Sequence, residues 1–166
     1  MKKLLLSLCF ALTLAGGVFA DHPDDRVGVG LFLGGGWASV GGGLFNPGFS
    51  LKVPRVPLFW GFNASFGSVS GLGVSADYYL VDRDLIKDGS IDLDWFLGLG
   101  LFTQLYFGNH FTMAMGARLP IGLSWHINQV FELFLDVAPG IGIKFEPKPF
   151  FGSLSAELGF RVWIQG

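Results

Sequence analysis

Six charged residues recur at strand-like spacing in an otherwise apolar chain, and they are the first candidates for a functional site. Each alternates with bulky apolar neighbours and shares its side of the chain mainly with Gly, Ser and Ala. Side chains that alternate in this way project from one face of a β-strand. Charges in a low-dielectric interior must be paired, so we predict a structural ion-pair cluster. Its members are Arg118, Asp136, Arg161, Glu132, Glu157 and Asp77.

The centre of this cluster depends on how neighbouring strands pair. With a turn centred near Ile127, Arg118 is expected to lie opposite Asp136, and a turn near Lys148 is expected to place Arg161 diagonal to Asp136. A polar conduit gated by these charges is the alternative to a structural role.

No other constellation in the sequence indicates catalysis, a cofactor or a metal. His110 and His126 fall at opposite ends of one expected strand, about 50 Å apart at ~3.3 Å per residue, so they cannot share a metal. His22 stands beside two aspartates and is able to bind a cation weakly, although a frayed terminus is the preferred interpretation. The glycine-rich run 34–43 lacks the Lys and the following helix of a phosphate loop. We therefore expect a protein that is not an enzyme.

The composition excludes several classes of protein. Of the 166 residues, 51% are hydrophobic and 14% are charged, and the mean hydropathy is +0.52, so an ordinary cytosolic enzyme is disfavoured. The 26 Gly and 18 Phe disfavour a helical bundle, because Gly is a poor helix former and aromatic residues suit pleated sheets. A net charge of −2 provides no surface for nucleic acid. The length indicates one domain.

The first 20 residues have the features of a secretory signal peptide. A basic start precedes the apolar run Leu4–Leu14, and Val18-Phe19-Ala20 is typical of a cleavage site. We therefore assign 1–20 as the signal peptide and 21–166 as the barrel described next. Because Cys9 lies in the signal peptide, the exported part contains no cysteine.

Bulky apolar residues alternate with small or polar ones in eight segments, which predicts eight strands joined by hairpins. Pro120 and Pro139 each remove a ladder donor, so we expect a bulge or strand end at both. Turns are expected at Gly34–Gly36, at Pro147–Pro149 and over Val81–Ile91, the longest connection. The segments are Val27–Gly35, Leu44–Val53, Leu58–Phe66, Leu72–Leu80, Asp92–Leu101, Phe111–Leu123, Phe131–Ile143 and Ser153–Ile164.

The bulky face is nearly free of charge, and this indicates whether it points into the barrel or outward. Directed inward, as in a lipocalin-like cup, it would overfill the narrow lumen of an eight-stranded barrel. Three charge-free stretches, 27–51, 56–76 and 95–117, are long enough for helical spans, but their glycines and their period of two disfavour helices. The sequence thus predicts an all-β fold, a single eight-stranded antiparallel up-and-down transmembrane β-barrel with its bulky face in lipid.

Aromatic residues near the expected strand ends are typical of the two interfacial girdles of such a barrel. Both chain ends are expected to be periplasmic, which makes the connection Val81–Ile91 periplasmic as well. The girdle candidates are Trp37, Trp60, Tyr78, Tyr79, Trp95, Tyr106, Trp125 and Trp163.

Five stretches of the sequence carry a resemblance to a known family: Asn46–Lys52, Asp77–Leu80, Gly116–Leu123, Phe131–Gly140 and Leu158–Val162. They resemble those of small outer-membrane β-barrel proteins known from spirochaetes, a likeness that covers most of 21–166. It implies fold and compartment and carries no catalytic content. The expected partners are outer-membrane lipid and the barrel-assembly machinery, and the expected state is a monomer. The expected role is structural or surface-interacting, with a narrow channel or a soluble barrel for an apolar ligand as alternatives.

Overall fold

The computed structural model describes residues 25–38, 41–67, 69–88, 91–108, 110–145 and 150–165, which form one antiparallel sheet. The expected signal peptide 1–20, His22 and the turn at Pro147–Pro149 lie outside the described residues. The strands are β1 (Arg26–Ala38), β2 (Gly41–Lys52), β3 (Phe59–Ser65), β4 (Ser70–Asp88), β5 (Ile91–Phe107), β6 (Phe111–Arg118), β7 (Ile121–His126), β8 (Phe131–Lys144) and β9 (Phe150–Gln165).

The sheet closes on itself because the first and last strands pair. β1 and β9 are antiparallel from Arg26↔Gln165 to Ala38↔Ser153. β6 and β7 both lie between β5 and β8, so together they occupy one position of an eight-membered ring. This confirms the predicted all-β, eight-stranded antiparallel barrel. In the part of the chain that the structure describes, no helix is long and apolar enough to cross a membrane.

Two prolines in neighbouring strands have different effects. At Pro120 the strand ends and restarts as β7, as expected, yet the register with β5 and β8 continues unchanged across the break. There Gly98 N donates to Pro120 O (2.7 Å) and Leu119 N donates to Pro139 O (2.9 Å). The expected irregularity at Pro139 is wrong: β8 runs through it, because its carbonyl still accepts a ladder bond and only one donor is missing.

The expected connection Val81–Ile91 is also wrong, because β4 continues to Asp88 and β5 begins at Ile91. Register shifts at Tyr79/Val81 and at Asp84/Ile86 interrupt the alternation there. Such bulges remove the period-two signal on which the sequence prediction depended. The turn expected at Gly34–Gly36 is likewise wrong, since β1 extends to Ala38.

The extended β4–β5 hairpin identifies one end of the barrel. Because β3 pairs with β4 only as far as Phe59↔Asp77, the rest of β4 continues past its neighbour with β5 alone. This hairpin lies at the end of the barrel where Arg26 and Gln165 pair, which we call the terminal end. The other end, marked by the β5–β6 connection after Phe107, is the distal end.

The bulky apolar residues face outward and most charged residues face the bore. Leu99 is 50% exposed and Leu133 38%, whereas Asp136 is only 4% exposed and Arg118 is largely covered. The opposite orientation, with the bulky face lining the bore, is therefore wrong.

The bore also contains aromatic rings, and in nine pairs of the described strands an inward ring faces a glycine directly across the ladder. Side chains at directly opposed positions start only about 4.5–5.5 Å apart, so a ring has room where its partner has no side chain. A Cβ added to Gly48 would lie 2.2 Å from Phe32 Cζ, and one added to Gly159 would lie 2.5 Å from Phe134 Cζ. The pairs are Phe32↔Gly48, Phe32↔Gly159, Tyr79↔Gly98, Phe96↔Gly122, Phe102↔Gly116, Tyr106↔Gly71, Phe134↔Gly159, Phe151↔Gly142 and Trp163↔Gly28.

Three of the expected girdle residues belong to this interior. Tyr79 and Trp163 are buried in the bore, and Tyr106 packs against Ala114 and Phe151. Their assignment to a girdle is wrong because strand parity, and not position near a strand end, decides which way a side chain points.

We expect Gly159→Ala to destabilise the barrel by about 1–3 kcal/mol, because its methyl group would meet both the Phe134 ring and the Leu31 carbonyl oxygen. Gly152→Ala in the same strand is the matched control, because its Cβ would have no neighbour nearer than 4.0 Å. Urea unfolding of the purified barrel in detergent measures both. Equal midpoints for the two variants would contradict the packing argument.

Candidate functional site

All six charged residues singled out from the sequence lie in the bore, where the structure divides the two arginines between separate groups. Arg118 ends β6 and bridges Asp77 of β4 and Glu157 of β9. Its Nε and one terminal nitrogen donate to the two Asp77 oxygens at 2.9 and 2.5 Å, and its other terminal nitrogen donates to Glu157 Oε1 at 2.6 Å. The planar guanidinium suits this arrangement, because its donors form a fixed fork that matches a carboxylate.

A glycine makes room for this first group. Gly100 pairs with both Asp77 and Arg118, so it sits between them on the β5 ladder. A Cβ added to Gly100 would lie 1.8 Å from Asp77 Oδ1. The carboxylate therefore occupies the space that any side chain at this position would fill.

The second group is built around Arg161, which lies directly opposite Glu132 in the β8–β9 ladder. Arg161 donates to Glu132 Oε1 at 2.7 Å and to Ser50 Oγ at 2.9 Å. Its guanidinium carbon also lies 4.7 Å from the Phe59 ring centre and 4.0 Å from that of Phe134. Two aromatic faces thus hold the cation in addition to the carboxylate.

Glu132 is fully buried, and both of its oxygens accept hydrogen bonds. Oε1 accepts from Arg161 and from the Ser124 hydroxyl, and Oε2 accepts from Trp163 Nε1 at 2.8 Å. A buried carboxylate is tolerated when it is paired and bonded in this way.

Asp136 lies between the two groups. The prediction that it lies opposite Arg118 is wrong. Arg118 faces Gly140 across the ladder, while Asp136 faces Gly122 on β7 and Glu157 on β9. The turn accounts for the shift, because Asn128 Oδ1 accepts from the backbone nitrogens of Val130 and Phe131 at 2.8 Å each. This Asx-type turn places the centre of the loop after Ile127.

The position of Asp136 still links the two groups electrostatically. Its carboxylate interacts with both arginines and with Glu157 and Asp77. One oxygen, Oδ1, is buried without a hydrogen-bond partner among the described residues.

An aromatic column next to Arg161 fills the terminal half of the bore. The rings of Phe59 and Tyr79 stack with centres 4.2 Å apart, and those of Tyr79 and Phe96 with centres 4.3 Å apart. Trp163 meets Phe59 edge-on at 6.5 Å. Our sequence reasoning assigned small residues and charges to the bore and missed this column. The signal was present, since Phe96 alternates with the outward Trp95 and Leu97.

The distal half of the bore is different, because it contains a partly open cavity of about 100 Å³. Polar side chains contribute to its lining, among them Asn46, Asn63, Gln104 and Glu157. A space of this volume and polarity is large enough for several water molecules.

A third polar group lies at the terminal end. Ligand atoms of Asp92, Asp94 and His126 lie within 4.8 Å of one another. Sequence reasoning missed this group, because it compared His126 only with His110, at the opposite end of the same expected strand. His110 is exposed and precedes β6, at the distal end.

Comparison with known proteins supports the fold. No protein-family model and no curated protein sequence matches the chain. Among solved structures it is similar to Neisserial surface protein A, with a TM-score of 0.54 and 17% identity over 84% of this chain and 97% of that one. It also resembles the N-terminal β-barrel domain of Pseudomonas aeruginosa OprF (TM-score 0.49, 15% identity, 80% and 96%). A third similar structure is Ail, the attachment invasion locus protein of Yersinia pestis (0.41, 10%, 84% and 97%). The first likeness shows that the chain has the fold of a small β-barrel.

We expect Arg118→Met to destabilise the folded barrel by about 3–5 kcal/mol, because it leaves Asp77 and Glu157 as buried carboxylates without their cation. Adding Asp77→Asn and Glu157→Gln to the same chain removes those charges and is expected to restore most of the stability. The measurement is the unfolding midpoint in detergent. An unchanged midpoint for Arg118→Met would show that the pairing contributes nothing.

Proposed function

We propose that this chain is an exported outer-membrane β-barrel with a sealed bore, whose role is structural or surface-interacting and not enzymatic. The observation that carries the proposal is the inside-out distribution of its side chains. Leucines such as Leu99 and Leu133 are exposed on the outer wall, while Asp136 and Arg161 are buried inside. A water-soluble barrel with this exterior would expose a continuous apolar surface to solvent.

The strands fit a membrane in length and in backbone bonding. A tilted transmembrane strand needs about 9–11 residues, and β1 and β8 have 13 and 14. Closure of the ring pairs the backbone groups that hydrocarbon cannot solvate. Trp60, Trp95 and Trp125 lie towards the terminal end on the outward parity and form one interfacial girdle.

We place the terminal end in the periplasm, with residues 1–20 as the cleaved signal peptide. The resemblance to spirochaete barrels supports a location in the outer membrane. The partners on this proposal are outer-membrane lipid and the barrel-assembly machinery, and the barrel acts as a monomer. Its distal connections, such as the one from Phe107 to Phe111, are short. Short connections favour a structural role over adhesion through long surface loops.

Cell fractionation tests the location. The chain is expected in the outer-membrane fraction, with a shift in gel mobility on boiling that marks a folded barrel. Recovery of a soluble periplasmic protein without detergent would contradict the proposal and favour the alternative of a barrel for apolar ligands.

The aromatic column argues against the second alternative, a narrow channel. Conduction needs a continuous polar path, and Phe59, Tyr79 and Phe96 stack face to face in the bore beside the bound Arg161 guanidinium. The proposal therefore assigns the charges to pairing and filling the bore and not to transport.

We expect no single-channel conductance from the natural barrel in planar lipid bilayers. The double variant Tyr79→Gly with Phe96→Gly removes two rings of the column and is expected to conduct. Tyr78→Gly with Leu97→Gly is the matched control, because it makes the same number of glycines in the same two strands on the outward face. Conductance from the natural barrel would refute a sealed bore.

A further inference from the structure

We propose that Asp92, Asp94 and His126 form a binding site for a divalent transition-metal cation at the terminal end of the barrel. The two aspartates lie two residues apart on β5, so their side chains share one face. His126, the last residue of β7, pairs directly with Asp92 across the ladder. Its Nδ1 lies 3.1 Å from Asp94 Oδ2, and ligand atoms of all three residues lie within 4.8 Å of one another.

The donor set suits such an ion. Imidazole and carboxylate groups both bind Zn²⁺, at about 2.0–2.2 Å, and three protein ligands with one open position are a common arrangement. Donors on one tetrahedral ion are roughly 3.3–3.6 Å apart at these bond lengths. The three donors therefore need only small side-chain rotations to share one ion, and water completes the coordination.

The local charge also favours a cation. Asp84 of β4 lies directly opposite Asp94, and like charges opposed across a ladder destabilise a sheet. Lys87, which pairs in register with Asp92, has its ammonium group 3.1 Å from Asp84. Asp92 Oδ1 is buried and has no hydrogen-bond partner among the described residues. A bound divalent ion would offset the charge of Asp92 and Asp94 and would coordinate this oxygen.

The site combines a rigid base with access from outside. Asp94 is 2% exposed and contacts the Nδ1 edge of the imidazole, while the His126 side chain is 14% exposed at the end of β7. β5 and β7 are already joined by backbone pairing from Leu97↔Ile121 to Asp92↔His126, so the ion is not required to hold the strands together. We therefore infer a site that takes up a cation from the surrounding solution after folding.

Isothermal titration of the chelator-treated barrel in detergent with ZnCl₂ tests the proposal. The natural barrel is expected to bind one equivalent. Because loss of even an outer-shell partner commonly weakens metal affinity 10–100-fold, Asp92→Asn and His126→Ala are each expected to weaken it at least about tenfold. His110→Ala at the distal end is the matched control and is expected to leave the affinity unchanged. His22→Ala tests whether Zn²⁺ binds instead to His22 and the acidic residues near it.

Thermal unfolding distinguishes loss of binding from loss of folding. With chelator present, Asp92→Asn is expected to unfold no earlier than the natural barrel, because it removes a negative charge near Asp94. Added Zn²⁺ is expected to raise the midpoint of the natural barrel and not that of Asp92→Asn, since a ligand stabilises only the state that binds it. No heat of binding, or binding abolished by His22→Ala and retained by His126→Ala, would overturn the proposal.

Discussion

The narrowness of an eight-stranded bore is the constraint on which the rest of this structure depends. Such a barrel is only just wide enough to be filled by side chains. An aromatic ring that points inward has room where its ladder partner lacks a side chain, and glycine supplies such a position at Phe32↔Gly48, Phe134↔Gly159 and seven further pairs of the described strands. This pairing accounts for part of the abundance of Gly and Phe, while other phenylalanines, such as Phe62 and Phe160, are exposed on the outer wall. A ring packed on a glycine also covers the backbone of its neighbour, so the pair fills the bore while leaving the ladder intact.

The same constraint determines how charges are accommodated. Aromatic rings fill the terminal half of the bore, and a buried ionised group is costly unless it is paired within the protein. Arg118 achieves this with two carboxylates drawn from β4 and β9, and Arg161 achieves it with Glu132 and two aromatic faces. Because each arginine joins strands that are distant in sequence, the charged groups also connect opposite walls of the ring. Filling of the bore and cross-wall bonding are therefore carried out by the same side chains.

Local alternation in the sequence was sufficient to predict the barrel, the number of strands and the outward face. It was not sufficient to predict register, because register depends on the turns. The Asx-type turn at Asn128 lengthens the loop after β7 and moves Asp136 from Arg118 to Gly122. Alternation also fails to predict strands at bulges, because a bulge interrupts the period of two. For this reason the charged segment after Val81 has the sequence pattern of a loop although it is part of a strand. Parity would have identified Phe59, Phe96 and Trp163 as bore residues had it been applied to large side chains as well as small ones.

Register also explains why the polar group at the terminal end is hidden in the sequence. The β5 ladder runs without a shift from Gly100↔Arg118, past the break at Pro120, to Asp92↔His126. A single register on β5 thus places Gly100 between Arg118 and Asp77. Farther along β5, the same register pairs Asp92 with His126. Farther from the terminal end, the buried carboxylates are paired with the guanidinium groups of Arg118 and Arg161. At the terminal end the extended hairpin adds Asp84 opposite Asp94, so negative charge accumulates beside the His126 imidazole.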